Sequence, residues 1–245
     1  MTNSGLIDHA YDDLAQILRV LLEADYRANR EGLIFVDRAE AVGNIEIALG
    51  SVLNTFHSLY DAIETQLGHH PIDLYKTGEL AVILAIRNAR HHNHANKIRT
   101  IYTFHAREAA QPDRMSQYVL VDFPSPEEGA DTFDVYLSWA DLSDLLSMPS
   151  IKSRIRNSVR EAIEKYLMSN KFHEYAGHYG LDTRFVFFNV VPLIVNAAII
   201  ITPLLKEHLT GLSIESKSFI SLFEDMPPAD TKNPDVNCGP FVLPS

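Results

Sequence analysis

The clearest pattern in this chain lies in residues 37–67, DRAEAVGNIEIALGSVLNTFHSLYDAIETQL. Apolar side chains recur there at intervals of three and four residues from Ile45 to Ile63, which is the period of one face of an α-helix. Gly68 and Pro71 follow and end the pattern. A helix of this length with one apolar face has to pack against other elements, so the segment predicts a helical core.

The same period recurs on both sides of this segment. It is present in residues 5–28, from Thr77 into residues 87–94 with helical character continuing or resuming to about Ala110, and again in residues 150–168. Residues 185–205 hold no charge and approach the length that crosses a bilayer, but they include two asparagines and two prolines. We interpret this segment as a buried helix preceded by a short strand, and we predict no contact with a membrane.

Two short segments follow the alternating period of β-strands. They are residues 117–123 and 132–137, and the loop-forming residues 124–129 lie between them, so the sequence predicts a β-hairpin. The predicted fold is mainly α: a bundle of about four core helices with an inserted hairpin near 117–137. Residues 1–226 form a single domain in this prediction, and residues 227–245, which are rich in proline, form an extended C-terminal tail.

Composition restricts the classes of function. The formal net charge is −11, which argues against a protein that coats nucleic acid with a general basic surface but permits a small basic site. The single cysteine, Cys238, excludes an internal disulfide and a cysteine-based zinc site. Residues 1–5 show no signal-peptide pattern, so we expect a cytoplasmic protein.

The residues with the greatest chemical potential are the run Arg87-Asn88-Ala89-Arg90-His91-His92-Asn93-His94. On a straight helix the apolar face that begins at Leu80 continues through Arg87, His91 and His94, because each residue turns by about 100°. Asn88 and His92 are four residues apart and share the neighbouring face. A face that changes from leucine to arginine and histidine lines a cleft or packs against a polar surface.

Such a group suits the cleavage of RNA. The ribose 2′-hydroxyl is the nucleophile, so the reaction needs a base, an acid and a cation near the phosphate. Histidine serves the first two purposes because its pKa lies near neutrality, and arginine serves the third because it stays charged and binds phosphate oxygens with two donors. Neither a metal nor another cofactor is required.

The run resembles the motif of the HEPN superfamily, in which an arginine and a polar residue precede three residues and a histidine. Arg87, Asn88 and His92 match it, and a looser form of the motif also accepts His94. The resemblance implies a helical bundle and a metal-independent endoribonuclease of toxin type, with RNA as substrate, a possible antitoxin as partner, and a homodimer in which two motifs meet. It makes Arg87 the phosphate-stabilising cation, His92 the acid or base, and Asn88 the residue that orients it.

Alternatives remain open at this stage. Straight-helix geometry favours His94 over His92 as the partner of Arg87. A buried Arg87 would pair with one of four acidic residues, Asp12, Asp13, Glu46 or Asp61. Arg154, Arg156 and Arg160 form a second basic cluster, either a solvated face or a guide for RNA. The chain is alternatively a non-catalytic binding or scaffold protein or, less favourably, a metal-binding protein that uses the histidine cluster.

Overall fold

The computed structural model describes residues 5–108, 115–124 and 133–244. These residues are mainly helical with one small sheet, which confirms the predicted mainly α class. The helices are α1 (Leu6–Asn29), α2 (Leu33–Val36), α3 (Arg38–Leu67), α4 (Gly78–His92), α5 (Ile101–Glu108), α6 (Trp139–Ser147), α7 (Ser150–Ser153), α8 (Asn157–Leu167), α9 (Phe172–His178), α10 (Val191–Leu205) and α11 (Ile214–Asp225). The strands are β1 (Ser116–Asp122), β2 (Tyr136–Ser138), β3 (Val186–Asn189) and β4 (Asp235–Phe241).

Helix α3 begins and ends where the sequence predicts. The side chain of Asp37 accepts a hydrogen bond from the backbone N–H of Glu40 at 2.9 Å, which caps the N-terminus. Gly68 takes a left-handed conformation with φ 73° and ends the helix. The apolar face is buried, and α3 packs most extensively against α1. Helix α4 lies against α3, α8 and α10, so one side of α4 is fixed in the core.

Helices α4 and α8 approach each other closely at one glycine. Gly78 is the first residue of α4, and a Cβ atom added there would lie 2.6 Å from Cβ of Tyr166 and 3.2 Å from the carbonyl oxygen of Ala162. Only glycine fits this contact, because ordinary van der Waals separation between carbon atoms is about 3.5–4.0 Å. The start of α4 therefore meets the end of α8, and the C-terminal half of α4 lies beside the start of α8.

The prediction that the first two strands form a hairpin is wrong, because they do not pair with each other. Strands form at both predicted places, but the order in the sheet is β2-β3-β1-β4, so β3 separates them. Strands β1 and β3 are parallel, and β2 is antiparallel to β3. All four residues of β3 are buried, and such a short apolar run gives no alternating signal. Most of the predicted loop 124–129 lies outside the described residues, as do residues 109–114, where helical character was expected to end.

Part of the predicted C-terminal tail belongs to the sheet. Strand β4 pairs with β1 in antiparallel register along its whole length, from Asp235 opposite Asp122 to Phe241 opposite Ser116. The ring of Phe241 also contacts the rings of Tyr102 and His105, with centroids 5.5 and 5.1 Å apart. Residues 235–241 are therefore extended and hydrogen-bonded.

Helix α10 follows β3 directly, as predicted for residues 185–205. Residues 191–208 are long and apolar enough to cross a membrane by length and composition alone, and half of this segment is buried in the protein. Asn196, which is 2% exposed, donates to the hydroxyl of Tyr166 and to the carbonyl of Ala229, both at 2.9 Å. Thr202 is fully buried against Tyr11. These internal hydrogen bonds are typical of a core helix.

Candidate functional site

Helix α4 ends inside the motif. Its last residue is His92, and Asn93 takes a left-handed conformation with φ 57°. The carbonyl oxygen of Ala89 accepts from the N–H groups of both Asn93 and His94, a common way to end a helix. A short 3-10 turn follows at Ala95–Lys97, and the next α-helix begins only at Ile101. The straight-helix alignment of His94 with Arg87 is therefore wrong, because the chain turns away before His94.

A partly buried ion pair fixes the segment that follows. Nη1 of Arg90 lies 2.8 Å from Oε2 of Glu46 on α3, and Nη2 donates to the carbonyl of Ile98 at 3.1 Å. The other carboxylate oxygen of Glu46 accepts from the hydroxyls of Thr100 and Thr103. Burial raises the pKa of Glu46, but the charge of Arg90 and these hydrogen bonds outweigh it and hold that pKa below its ordinary value. Arg90 is thus a structural residue.

Arg87 has different surroundings. Its Nε donates to Oδ1 of Asn54 on α3 at 3.3 Å, and its Nη1 donates to Oδ1 of Asn88 at 3.1 Å. None of the described carboxylates forms an ion pair with it, so the four acidic residues considered for this purpose do not neutralise Arg87. Two neutral amides hold the guanidinium, and its charge remains available to an anion.

Three histidines lie together at the end of α4. The ring centroids of His91 and His92 are 4.9 Å apart, and those of His92 and His94 are 5.8 Å apart. His91 and His92 are exposed and His94 is half-buried. Partial loss of hydration, followed by the charge of Arg154 and those of the neighbouring histidines and Arg87, lowers the pKa of His92 below its ordinary value. A lower pKa favours the neutral form of this ring, which can accept a proton.

The described residues contain no group of three or more histidine, cysteine, aspartate or glutamate side chains that is arranged to hold a metal ion. The histidine-rich run gives no convergent set of ligands there, since its carboxylate neighbour Glu46 is occupied by Arg90 and two threonines. The geometry offers a cation and imidazoles rather than a chelating cage.

The site also includes two residues of α3, and neither was singled out from the sequence. Asn54 binds Arg87, and His57 lies one turn further along α3. Burial and then the charge of Arg87 lower the pKa of His57, while Asp61 opposes them. Nδ1 of His57 is buried and has no hydrogen-bond partner among the described residues. The sequence signal was the spacing of Asn54, His57 and Asp61 on one helical face.

The second basic cluster borders the motif. A cavity of about 150 Å³ lies between α4 and the α7–α8 connection, and its lining includes Asn88, Arg154 and Arg156. Arg154 adopts a left-handed conformation with φ 58° and is the C-cap of α7. Arg160 does not belong to this surface, because its guanidinium donates to the carbonyl of Met148 and the hydroxyl of Ser153. The predicted cluster thus divides into two exposed cations and one structural residue.

A second cavity, of about 310 Å³ and mainly apolar, lies at the carboxyl ends of the parallel strands β1 and β3. Asn189 at the end of β3 donates to Asp122 and to Asp134, at 3.0 and 3.1 Å. Burial, followed by the charges of Asp122 and Asp25, raises the pKa of Asp134 to about 6. The members of this group are distant along the chain, so their spacing in the sequence does not reveal it.

The site described by these distances is a group of uncompensated arginines and exposed histidines where α4 ends. Comparison of the chain with models of protein families, with curated proteins and with solved structures gives no match.

Proposed function

We propose that this protein is a metal-independent endoribonuclease of the HEPN toxin type, with its active site at the C-terminal end of α4. The observation that carries the proposal is the contrast within one helix turn: Arg90 is neutralised by Glu46, whereas Arg87 is held by two amides and keeps a free charge. An arginine left without a carboxylate beside exposed histidines suits a site that binds a phosphodiester.

In the proposed reaction a neutral histidine removes the proton of the ribose 2′-hydroxyl, and the oxygen attacks the adjacent phosphorus. The bond to the 5′-oxygen breaks, and a protonated histidine gives that oxygen its proton. The products are a 2′,3′-cyclic phosphate and a 5′-hydroxyl. Arg87 stabilises the charge that develops on the phosphate, and His92, with its lowered pKa, is the base. Asn88, which the resemblance makes the residue that orients His92, instead orients Arg87 through its amide oxygen in this proposal.

The reaction needs a second histidine as the acid. His94 is the candidate within one chain, since its ring centroid is 5.8 Å from that of His92. A homodimer in which two motifs face one cleft supplies the acid from the second copy, as the resemblance to HEPN proteins implies. The exposure of His91 and His92 leaves them accessible to a second copy. In this proposal the protein acts in the cytoplasm, and an antitoxin partner covers the site.

Cleavage of RNA in EDTA tests the proposal. We expect the wild-type protein to cut single-stranded RNA and leave cyclic phosphate ends, Arg87→Ala and His92→Ala to lose about 10²-fold or more in rate, and His94→Ala to lose less. Arg107→Ala, which removes an exposed arginine on α5, is the matched control and keeps full activity. Wild-type protein that leaves RNA intact and does not slow growth on expression would eliminate the enzymatic proposal.

A binding module without catalysis is the second candidate, because the exposed arginines around the smaller cavity can hold an anion whether or not a bond is cut. The same experiment separates the two: wild-type protein that binds RNA and does not cut it supports the binding module.

A further inference from the structure

The cavity beside the motif has the shape and chemistry of a site for part of an RNA chain. Its floor is apolar and comes from residues such as Leu84 of α4 and Ile155 between α7 and α8, while Tyr75, Asn88, Arg154 and Arg156 provide polar groups around it. An apolar surface accepts the face of a nucleobase, a side-chain amide reads its edge, and arginines bind the phosphates on either side.

The cavity connects directly to the proposed catalytic group. Asn88 lines the cavity and also accepts the hydrogen bond from Nη1 of Arg87. Arg154, on the opposite wall, is near enough to His92 for its charge to lower the pKa of that histidine. A nucleotide in the cavity therefore has its phosphate close to Arg87 and His92.

Charge and size restrict the ligand. The chain has a net charge of −11, yet no described carboxylate forms an ion pair with Arg87, Arg154 or Arg156. Three such cations on an acidic protein select an anion. The volume, about 150 Å³, lies below the range of pockets that enclose whole drug-sized ligands, and it has room for one ring system. A base pair exceeds this volume, so the cavity suits an unpaired base.

From these observations we propose that the cavity is a base-binding subsite for single-stranded RNA, which holds the nucleotide next to the cleaved phosphate and gives the enzyme its base preference. This inference rests on the proposed ribonuclease function for the identity of the ligand. Tyr75 stacks on the base, Asn88 reads its edge, and Arg154 and Arg156 bind the flanking phosphates.

Binding of RNA to a catalytically silenced protein tests the subsite without relying on cleavage. The protein is His92→Ala, and the probes are fluorescent single-stranded octamers of each base, measured by anisotropy at several salt concentrations. We expect Tyr75→Leu to weaken binding about tenfold and to reduce the differences between bases, whereas Tyr75→Phe, which keeps the ring, binds like the parent. We expect Arg154→Gln with Arg156→Ala to weaken all octamers and to reduce the slope of log K against log salt by about 1.4, since two phosphate contacts to a single strand are lost.

The control is Lys217→Ala, an exposed cation on α11, which leaves affinity unchanged. Thermal melting checks that each variant is folded. If the silenced protein does not bind the octamers, or if the Tyr75 and arginine variants bind like the parent, the subsite is refuted even where the wild-type protein cuts RNA. If the variants lose affinity as expected and the wild type fails to cut RNA, the subsite stands and the ribonuclease proposal fails.

Discussion

Arg90 and Glu46 form an ion pair 2.8 Å long that ties the end of α4 to α3. Both side chains are largely buried, and breaking a buried pair leaves an uncompensated charge. We therefore expect Arg90→Ala to lower the free energy of unfolding by about 3 kcal/mol. Arg87→Ala loses only hydrogen bonds to two amides and costs about 1 kcal/mol. Urea unfolding of both variants measures this contrast, and equal losses would contradict our assignment of Arg90 as structural and Arg87 as functional.

Two glycines in helices give opposite predictions for the same substitution. Gly78→Ala places a methyl group 2.6 Å from Cβ of Tyr166, so we expect a loss of about 1–3 kcal/mol although alanine favours helix. Gly50, inside α3, has no atom within 4 Å of an added Cβ, and Gly50→Ala should stabilise the protein by about 0.5–1 kcal/mol. Thermal melting of both variants measures these changes in stability. A Gly78→Ala protein as stable as the wild type would show that α4 and α8 do not make this contact.

In the proposed cleavage reaction, the pH dependence of the rate reports the charge around His92. Partial loss of hydration and the charges of Arg154, His91, His94 and Arg87 lower its pKa, so a base at this position stays neutral to a lower pH than an ordinary histidine. Activity is lost as pH falls through that pKa. Arg154→Gln removes one repulsive charge, so the pKa should rise and the acidic limb of kcat/KM should move to higher pH. Titration of the His92 ring by NMR measures the pKa independently, and an unmoved limb with an unmoved ring signal would argue against His92 as the base.

Asp134 should make the protein less stable at neutral pH than at mildly acidic pH. Burial, then Asp122 and Asp25, raise its pKa from 3.8 to about 6, so the folded state binds the proton more tightly than the unfolded state. The contribution is fully present below about pH 4 and is lost as pH rises through about 6. After allowance for partial exposure, Asp134→Asn should gain about 1 kcal/mol at pH 7.5 and nothing at pH 4.

Urea unfolding of this variant across that pH range provides the measurement. Asp13→Asn, which replaces an exposed carboxylate on α1, is the control for the loss of one acidic side chain. A constant difference between wild type and Asp134→Asn at every pH would show that the carboxyl group is not perturbed.

The helices were predictable because their apolar faces repeat over many residues, as in α3, where Asp37 and Gly68 also mark the two ends. The sheet was not, since the order of its strands depends on contacts between residues far apart in the chain. Val186, Phe187 and Phe188 are buried on both sides and show no alternation. Strand β4 contains Pro240 and looks like an extended tail until its partner β1 is known.

The sequence identified the cluster of arginine and histidine side chains in residues 87–94. It did not predict how these side chains are arranged relative to one another. The end of α4 depends on the left-handed backbone of Asn93, which asparagine tolerates without requiring it. The different surroundings of Arg87 and Arg90 depend on Asn54 and Glu46, which α3 brings into place from a distant part of the chain. Local spacing predicts which side chains share a face and leaves their partners on other helices undetermined.

Arg90 and His92 are two residues apart, but Arg90 stabilises the fold whereas His92 belongs to the proposed catalytic group. The loop from Asn93 to Thr100 is anchored by Arg90, Glu46 and Asp141, whereas the imidazoles of His91 and His92 are exposed and support no buried contact. A substitution that removes one of these imidazoles is therefore expected to leave the protein folded. In the proposed dimeric ribonuclease, one folded subunit without His92 would therefore be expected to inactivate the cleft that it shares with an intact subunit.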